Sequence, residues 1–203
     1  MATPLSAVIT TFNNADTLRS CLESVKWVDE IVVLDSHSTD ATRDIAADYS
    51  ARIIQHEFLG YSKQKQMVID AAAHDWVLLL DADEAVTPEL RNEIHGILAQ
   101  GPTADGYALP RIEQLFWKMT HPRSRMNCFL RLFDRRRGRM NDVPVHAAPE
   151  VDGQVVQTRE GFYHFGEPDI HTKVGKLNSY STGLVEYKAA RRKRANPWTC
   201  LFY

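Results

Sequence analysis

The chain has 203 residues, of which 44% are hydrophobic and 25% are charged. This composition is typical of a globular domain with a sizeable core, and it excludes both a disordered chain and a small disulfide-stapled one. The net charge of −2 does not indicate a nucleic-acid binder, but residues 1–110 carry 7 Lys/Arg against 17 Asp/Glu, whereas residues 111–203 carry 17 against 9. An acidic half is suited to a cation, and a basic half to an anionic substrate or a membrane surface.

The cysteines and the termini indicate the cellular compartment of the protein. Cys21, Cys128 and Cys200 are too far apart for a CxxC zinc site and do not form a disulfide pattern, which indicates a reducing compartment. The N-terminus lacks the pattern of a signal peptide, and the longest apolar run, residues 76–80, is too short to span a bilayer. Four cations at 191–194 precede an apolar, aromatic ending, and we therefore expect the chain to be truncated there.

Short apolar runs alternate with helical patterns through the first hundred residues. Apolar runs bounded by polar turns predict strands, here at residues 5–12, 31–34, 52–56 and 76–80. Helical spacing of apolar residues predicts helices between these strands, at Leu18, Cys21, Leu22 and Val25 behind the capping segment 13–16, at Ala41, Ile45 and Ala46, and over residues 62–73. A fourth helix is predicted to start at Thr87-Pro88-Glu89, which has an N-cap, a proline and an acid in the preferred order.

The pattern changes at about Gly106. Residues 107–109 and 129–133 predict short strands separated by arginine-rich loops, so we expect a mixed extension of the sheet. Residues 169–194 have apolar side chains at helical spacing and predict one long helix.

The early alternation of continuously apolar strands with helices indicates an α/β fold, in which a mostly parallel sheet is covered on both faces. Ligands of such sheets bind beyond the carboxyl ends of the strands. Functional side chains are therefore expected at residues 10–14, 35–40 and 81–84.

The acidic segment Asp81 to Glu84 directly follows the most apolar predicted strand. Two carboxylates two residues apart can share a hard divalent cation, which in turn commonly binds substrate phosphates. The competing interpretation is a helix cap or a solvated turn, because short acidic motifs are common.

A second polar cluster, Asp35 to Asp40, follows the second predicted strand. A carboxylate at a strand end can accept the imide N–H of a uracil base, and we assign that role to Asp35. Ser, Thr and Asp before a helix are also ordinary N-caps, and we assign capping to Asp40.

Lys63 and Lys65 lie at the start of the third predicted helix. Their charges, together with free backbone N–H groups at a helix start, are suited to a diphosphate. Without the neighbouring motifs, a solvated helix face would be the better interpretation.

Residues 111–139 contain nine Lys/Arg and two Asp/Glu, interleaved with Phe116, Trp117, Phe129 and Phe133. Basic and aromatic residues in this mixture suit either single-stranded RNA or the phosphates and sugar faces of an anionic glycolipid. The strand signals favour the glycolipid. The three arginines at 135–137 are predicted to form a solvated turn.

Taken together, these residues resemble a known family. Segments Val8 to Asn13, Val33 to Thr42 and Leu80 to Glu84, in that order and spacing, are similar to glycosyltransferase family 2. Further similarity points to the branch of lipopolysaccharide-core β-1,4-glucosyltransferases and related lipid-linked-glycan transferases, through Gly60 to Lys65, Arg131 to Phe133, Pro144 to His146 and Lys176 to Ser181.

This resemblance implies a GT-A fold, a UDP-sugar donor such as UDP-glucose, a Mn²⁺ or Mg²⁺ ion, and transfer with inversion. It also implies roles for individual residues: Thr10, Phe12 and Asp35 around the base, Lys65 at the nucleotide, Asp81 at the ribose or metal, and Asp83 as the principal metal ligand. A late histidine often completes the metal or diphosphate site, and His164 is the candidate, although a histidine between two aromatic residues can also be a core residue.

The general base is where this sequence departs from the branch. Relatives often have a glutamate directly after the Val-His pair, but here His146 is followed by Ala147. The remaining candidates for the catalytic base are Asp142, His146 and Glu150.

The sequence therefore predicts an inverting glycosyltransferase at the inner face of the bacterial cytoplasmic membrane. Its acceptor would be a lipopolysaccharide core or another lipid-linked glycan, with peripheral membrane contact through the basic C-terminus and no nucleic acid partner. We expect one GT-A domain over 1–203, with a nucleotide-sugar half at 1–105 and an acceptor half at 106–203. The alternatives are a polyprenyl-phosphate glycosyltransferase and a catalytically silent sugar-nucleotide-binding or scaffold protein; a nucleotidyltransferase is disfavoured because a glycine-rich phosphate loop is lacking.

Overall fold

The structure is a computed structural model that describes residues 2–121, 126–141, 147–166, 169–171, 174, 175 and 178. The helices in this part of the chain are α1 (Ala15–Val25), α2 (Thr42–Asp48), α3 (Tyr61–Asp70) and α4 (Pro88–Gln100). The strands are β1 (Leu5–Thr11), β2 (Glu30–Asp35), β3 (Arg52–Gln55), β4 (Trp76–Asp81), β5 (Glu84–Val86), β6 (Gly106–Leu115), β7 (Lys118–Met119), β8 (Cys128–Asp134), β9 (Gly138–Met140), β10 (Pro149–Val151), β11 (Val155–Gln157) and β12 (Phe162–His164).

One large sheet has the strand order β3-β2-β1-β4-β8-β6-β12-β5. Strands β3, β2, β1 and β4 are parallel, whereas β8 is antiparallel to both of its neighbours, β4 and β6. Strands β7 and β11 also pair with β6, and β9 and β10 form a separate two-stranded sheet. The predicted parallel α/β sheet and its mixed extension are both confirmed.

The central strands are buried on both faces. On one face, Ala7 and Ile9 of β1 cluster with apolar side chains of α1 and α4, and on the other face Val8 clusters with α3. Each fully buried aliphatic side chain of this size contributes about 1.5–3 kcal/mol relative to an exposed one. This two-sided burial explains why the strands are continuously apolar rather than alternating.

The helix starts differ in how well the sequence predicted them. Thr87 caps α4 as expected, since its hydroxyl accepts the Leu90 N–H at 3.1 Å and Pro88 occupies the first turn. At α1 the predicted stripe is buried, but the cap residue Asn14 makes no side-chain capping bond. At α2 the expected face is only partly correct, because Ala41 is the exposed cap residue and Thr42 is buried in its place.

Two predictions about the C-terminal part lie outside the described residues. Most of the predicted helix over 169–194 falls there, as does the basic run at 191–194. Within the described part of the chain, no helix has both the length and the apolar composition needed to cross a membrane.

Candidate active site

The carboxyl ends of β1, β2 and β4 bring the predicted functional residues together. Parallel pairing places Thr10 beside Asp81 and Thr11 beside Asp35. The three loops that follow these strands therefore leave the sheet at one edge, which is where α/β sheets bind ligands.

Asp81, at the end of β4, is held by two cations from different elements. Lys65 of α3 places its Nζ atom 2.6 Å from Asp81 Oδ1, and the Arg131 Nη2 atom of β8 lies 3.4 Å from Oδ2. Thr10 Oγ1 adds a donor at 3.4 Å. Burial by itself would raise the pKa of Asp81, but the charges of Lys65 and Arg131 outweigh it and hold that pKa well below its ordinary value.

Glu84 stabilises the same turn through its buried carboxylate. Its carboxylate accepts the Asp81 backbone N–H at 3.0 Å and a charged hydrogen bond from Arg131 Nη2 at 2.5 Å. Burial raises the pKa of Glu84, with Arg131 opposing that rise. For Arg131, burial alone would lower the pKa, but Glu84 and Asp81 raise it, so the guanidinium stays charged inside the protein.

Asp83 faces the opposite side of the acidic motif and meets His164 of β12. Asp83 Oδ2 lies 3.5 Å from His164 Nε2, and the other ring nitrogen, Nδ1, lies 2.6 Å from Glu113 Oε2 of β6. The Phe165 N–H also donates to the Asp83 carbonyl at 2.8 Å. Burial alone would lower the pKa of His164, but hydrogen bonds to Asp83 and Glu113 raise it to about 9.

The residues around Asp83 fit a divalent cation that also binds substrate. Asp83 and His164 present one carboxylate and one imidazole, and Gly166 packs so closely against the histidine ring that a Cβ atom there would clash with it. Mg²⁺ is usually held by one or two protein carboxylates together with substrate phosphates and water, and imidazole suits the transition metals. Among the described residues, no three or more His, Cys, Asp or Glu side chains are grouped so that they could hold a metal ion by themselves.

Asp35, predicted to recognise the base, is fully buried at the end of β2. Its Oδ2 accepts the Ser38 N–H at 3.0 Å, and its Oδ1 accepts the Ser38 hydroxyl. Phe12 is 57% exposed in the loop after the neighbouring β1. Because the Asp35 carboxylate is fully buried, a base bound at this edge could reach it only after a local rearrangement.

The loops after β1 and β2 are tied together by side chains. Ser38 Oγ, Thr42 Oγ1 and Asp40 Oδ2 accept the backbone N–H groups of residues 13, 14 and 15 at 2.9, 2.8 and 3.1 Å. Asp40 is therefore a capping residue, as predicted: its Oδ1 accepts the Thr42 N–H at the start of α2 at 3.0 Å, and its Oδ2 serves the start of α1. This network of hydrogen bonds stabilises the loops on which Phe12 and Asp35 lie.

The start of α3 lies at the same edge. Lys65 is buried against Asp81, while Lys63 is exposed. Ser62 Oγ donates to the Asn141 carbonyl, and the Met140 N–H donates to Gln66 Oε1 at 2.8 Å. These bonds bring the chain at Asn141, just before the predicted base segment, to the site.

The candidates for the catalytic base are only partly placed. Asp142 and His146 lie outside the described residues. Glu150 is exposed on β10, opposite Arg139 of β9. Ala147 packs against the apolar cluster on the α3 side of the sheet.

Sequence reasoning missed the roles of Arg131, Glu84 and Glu113. Arg131 carried one available signal, because it interrupts an otherwise apolar run in β8 and a buried arginine requires a partner. Glu113 had no comparable signal, since its partner His164 lies 51 residues away in sequence.

The sequence of the chain matches a known protein family. The family is "Glycosyl transferase family 2", and the match to its sequence model covers residues 6–151. The chain belongs to this family. The structure of Staphylococcus aureus TarS 1–349 has a TM-score of 0.50 and 20% identity, covering 59% of this chain and 39% of that one. This likeness shows the fold, which is the mostly parallel GT-A arrangement.

Relatives of similar sequence are bacterial glycosyltransferases. An uncharacterized glycosyltransferase of Rickettsia felis is 32% identical over 192 residues, which cover 88% of this chain and 68% of the relative. The lipopolysaccharide core biosynthesis glycosyltransferase LpsC of Rhizobium meliloti is 30% identical over 209 residues, covering 98% and 77%. The chain thus spans roughly two thirds to three quarters of the length of these relatives.

Proposed function

We propose that this family 2 chain is an inverting, metal-dependent glycosyltransferase that moves a sugar from a UDP-sugar to a lipopolysaccharide core or another lipid-linked glycan. The observation that carries the proposal is the acidic motif at the carboxyl edge, in which Asp83 faces His164 while Asp81 is neutralised by Lys65 and Arg131. The similarity to LpsC supports the choice of acceptor class.

In this proposal the two aspartates divide the donor between them. Cations already surround Asp81, so it is a poor ligand for a further cation and a good fixed acceptor for a ribose hydroxyl. Asp83 and His164 would hold Mn²⁺ or Mg²⁺, which supplies charge stabilisation for the departing diphosphate. Thr10, Phe12 and Asp35 surround the base. Lys65 fixes the position of the Asp81 carboxylate through their ion pair.

The reaction needs one proton acceptor as well. The acceptor hydroxyl oxygen forms a bond to the anomeric carbon while the bond from that carbon to the UDP oxygen breaks, and the hydroxyl proton passes to a base. We propose that Asp142, His146 or Glu150 takes this proton. The hydrogen bond from Ser62 of α3 to the Asn141 carbonyl supports the first two, because both follow Asn141 closely in sequence.

Location and organisation complete the proposal. A lipid-linked acceptor would place the enzyme at the inner face of the cytoplasmic membrane. We propose a nucleotide-sugar half over residues 1–105 and an acceptor half over residues 106–203, with the basic run at 191–194 as a peripheral membrane contact.

The test is a panel of nucleotide sugars, each measured for thermal stabilisation of the protein and for nucleotide release, with and without Mn²⁺. Metal-dependent stabilisation by UDP-sugars together with slow UDP release supports the enzyme. Stabilisation without turnover supports a silent sugar-nucleotide-binding protein, a second candidate that Ala147 favours by standing where a carboxylate is common. A response to ADP-sugars equal to that to UDP-sugars would contradict the assigned donor.

The same assay decides the role of Ala147. If a carboxylate has been lost there, Ala147→Glu should raise turnover by about 10²–10⁴-fold, the usual contribution of a general base, with little change in donor affinity. If one of Asp142, His146 and Glu150 serves instead, its alanine variant stops transfer and Ala147→Glu has little effect. Transfer rates with a matched acceptor distinguish these outcomes.

A further inference from the structure

Large apolar side chains lie on the surface beyond the carboxyl edge of the sheet. Phe58, in the loop after β3, and Tyr61, the first residue of α3, are 55% and 52% exposed, with Leu59 exposed between them. In the turn between β6 and β7, Trp117 is 83% exposed beside the exposed Leu115. We name the first group the apolar loop (Phe58, Leu59, Tyr61) and the second the aromatic hairpin (Leu115, Phe116, Trp117).

The topology places both groups at the same edge as the candidate site. Strand β3 joins the parallel set that contains β4, and β6 has the direction of β4 because both are antiparallel to β8. The segments that follow β3 and β6 therefore leave the sheet where Asp81 and Asp83 lie. Two exposed valines, Val155 and Val156, pair instead with the amino end of β6 and lie toward the opposite edge.

The aromatic hairpin is not explained by the needs of its turn. Leu115 pairs with Lys118, which leaves Phe116 and Trp117 as the two turn residues, and Phe116 has a φ of 58°. A two-residue hairpin turn with positive φ at its first position favours glycine there, since a bulky side chain is strained in that conformation. The turn instead presents two large rings, stacked with centroids 5.9 Å apart. A strained turn that leaves Trp117 largely exposed and Phe116 half-buried indicates a function outside the fold itself.

The apolar loop has the same character. The rings of Phe58 and Tyr61 meet edge to face with centroids 5.2 Å apart, so the loop presents a preformed apolar surface. Each group also has an exposed lysine beside it, Lys63 after the apolar loop and Lys118 after the aromatic hairpin. Aromatic rings with adjacent cations are the combination found at the interface of a bilayer that carries anionic headgroups.

The separation of the two groups identifies the kind of partner. Strands β3 and β6 are five positions apart in the sheet order, which corresponds to about 24 Å at the usual strand spacing. One sugar ring or one acyl chain cannot contact both groups, whereas an extended flat surface can. We propose that the apolar loop and the aromatic hairpin dock the protein on an anionic lipid surface, with the candidate site at the edge that faces the lipid.

This inference deepens the proposed function, because a lipid-linked acceptor lies in such a surface, but its test does not depend on catalysis. The full chain is sedimented with phosphatidylcholine vesicles that contain or lack phosphatidylglycerol. Trp117→Ser and Phe58→Ser should each weaken binding to the anionic vesicles by about tenfold, the equivalent of roughly 1.4 kcal/mol. Val155→Ser, a matched loss of an exposed apolar side chain toward the opposite edge, should leave binding unchanged.

Two further variants separate the contributions. Trp117→Phe should retain vesicle binding while losing most of the fluorescence quenching by brominated lipid, because the quenched indole is expected to be that of residue 117. Lys118→Gln should reduce binding to anionic vesicles and leave binding to neutral vesicles unchanged. Circular dichroism of each variant verifies that the fold is intact.

Several outcomes would overturn the inference. They are absence of vesicle binding by the parent chain, equal losses in Val155→Ser and Trp117→Ser, and wild-type binding by the double variant Phe58→Ser/Trp117→Ser. A loss of affinity for a water-soluble acceptor fragment, with vesicle binding intact, would assign the hairpin to the acceptor sugar instead. Metal-dependent UDP binding, measured in the same variants, tests the proposed function separately, so the two ideas can fail independently.

Discussion

Asp81 is enclosed by cations from two different elements, whereas Asp83, two residues later, faces a histidine and a second carboxylate behind it. The two side chains are similarly accessible, at 32% and 25% exposure, but Asp81 faces two permanent cations, whereas Asp83 faces a single imidazolium that is shared with Glu113 and can release its proton to a metal ion. Lys65 and Arg131 neutralise Asp81 and would repel a metal ion there. The motif therefore combines one aspartate that is fixed in place with one that remains available to a cation.

The strongest test of this contrast is the removal of the Asp83 carboxylate. Asp83→Asn should abolish Mn²⁺-dependent UDP binding, since a neutral amide is a much weaker cation ligand, while the unfolding free energy changes little. Calorimetry of UDP with and without Mn²⁺ measures the effect. Asp48→Asn, which removes a carboxylate from the exposed Arg19–Asp48 pair, is the control and should bind like the parent. Undiminished metal-dependent affinity in Asp83→Asn would contradict the assignment.

The Asp81 side should respond in stability first. Arg131→Met leaves Glu84 buried without its cation, and breaking a buried pair in this way costs about 3–5 kcal/mol. Arg19→Met removes one partner of the Arg19–Asp48 pair, which is exposed on both sides, and should cost at most about 1 kcal/mol. Urea unfolding compares the two variants.

A second variant tests whether the Arg131 effect comes from the pair itself. Adding Glu84→Gln to Arg131→Met removes both buried charges and keeps an acceptor for the Asp81 N–H. Part of the lost stability should then return, because the uncompensated carboxylate is gone. Additive losses in the double variant would show that Arg131 acts through packing on Phe129 and Phe162 instead.

The smallest expected effect concerns the residue behind His164. Glu113→Gln keeps a hydrogen-bond acceptor for the ring but loses the charge that orients it, and changes of this kind typically lower metal affinity by about 10–100-fold. Mn²⁺ titration followed by electron paramagnetic resonance measures this affinity without requiring turnover. Glu23→Gln, at an exposed pair on α1, is the control. An unchanged Mn²⁺ affinity would remove Glu113 from the site.

Local patterns predicted the first half of the fold well. Residues close together in sequence determine the buried stripe of α1, the Thr87 cap of α4 and the apolar strand before Asp81. Such patterns fail where the partner is remote. The N–H of Ala15 at the start of α1 bonds to Asp40, and the N–H of Asn14 donates to Thr42, which is buried while Ala41 is exposed.

The candidate site divides in the same way. The sequence by itself determined that Asp35, Asp81 and Asp83 follow strands of a parallel sheet, because side-chain type and apolar periodicity are local properties. Only the tertiary structure decided that Arg131 reaches Glu84 from 47 residues away and that Glu113 orients His164 from 51 residues away. A buried charge needs a partner, and the identity of that partner depends on which strands become neighbours. Strand β8 lies between β4 and β6 in the sheet. This position results from long-range pairing that no local pattern encodes.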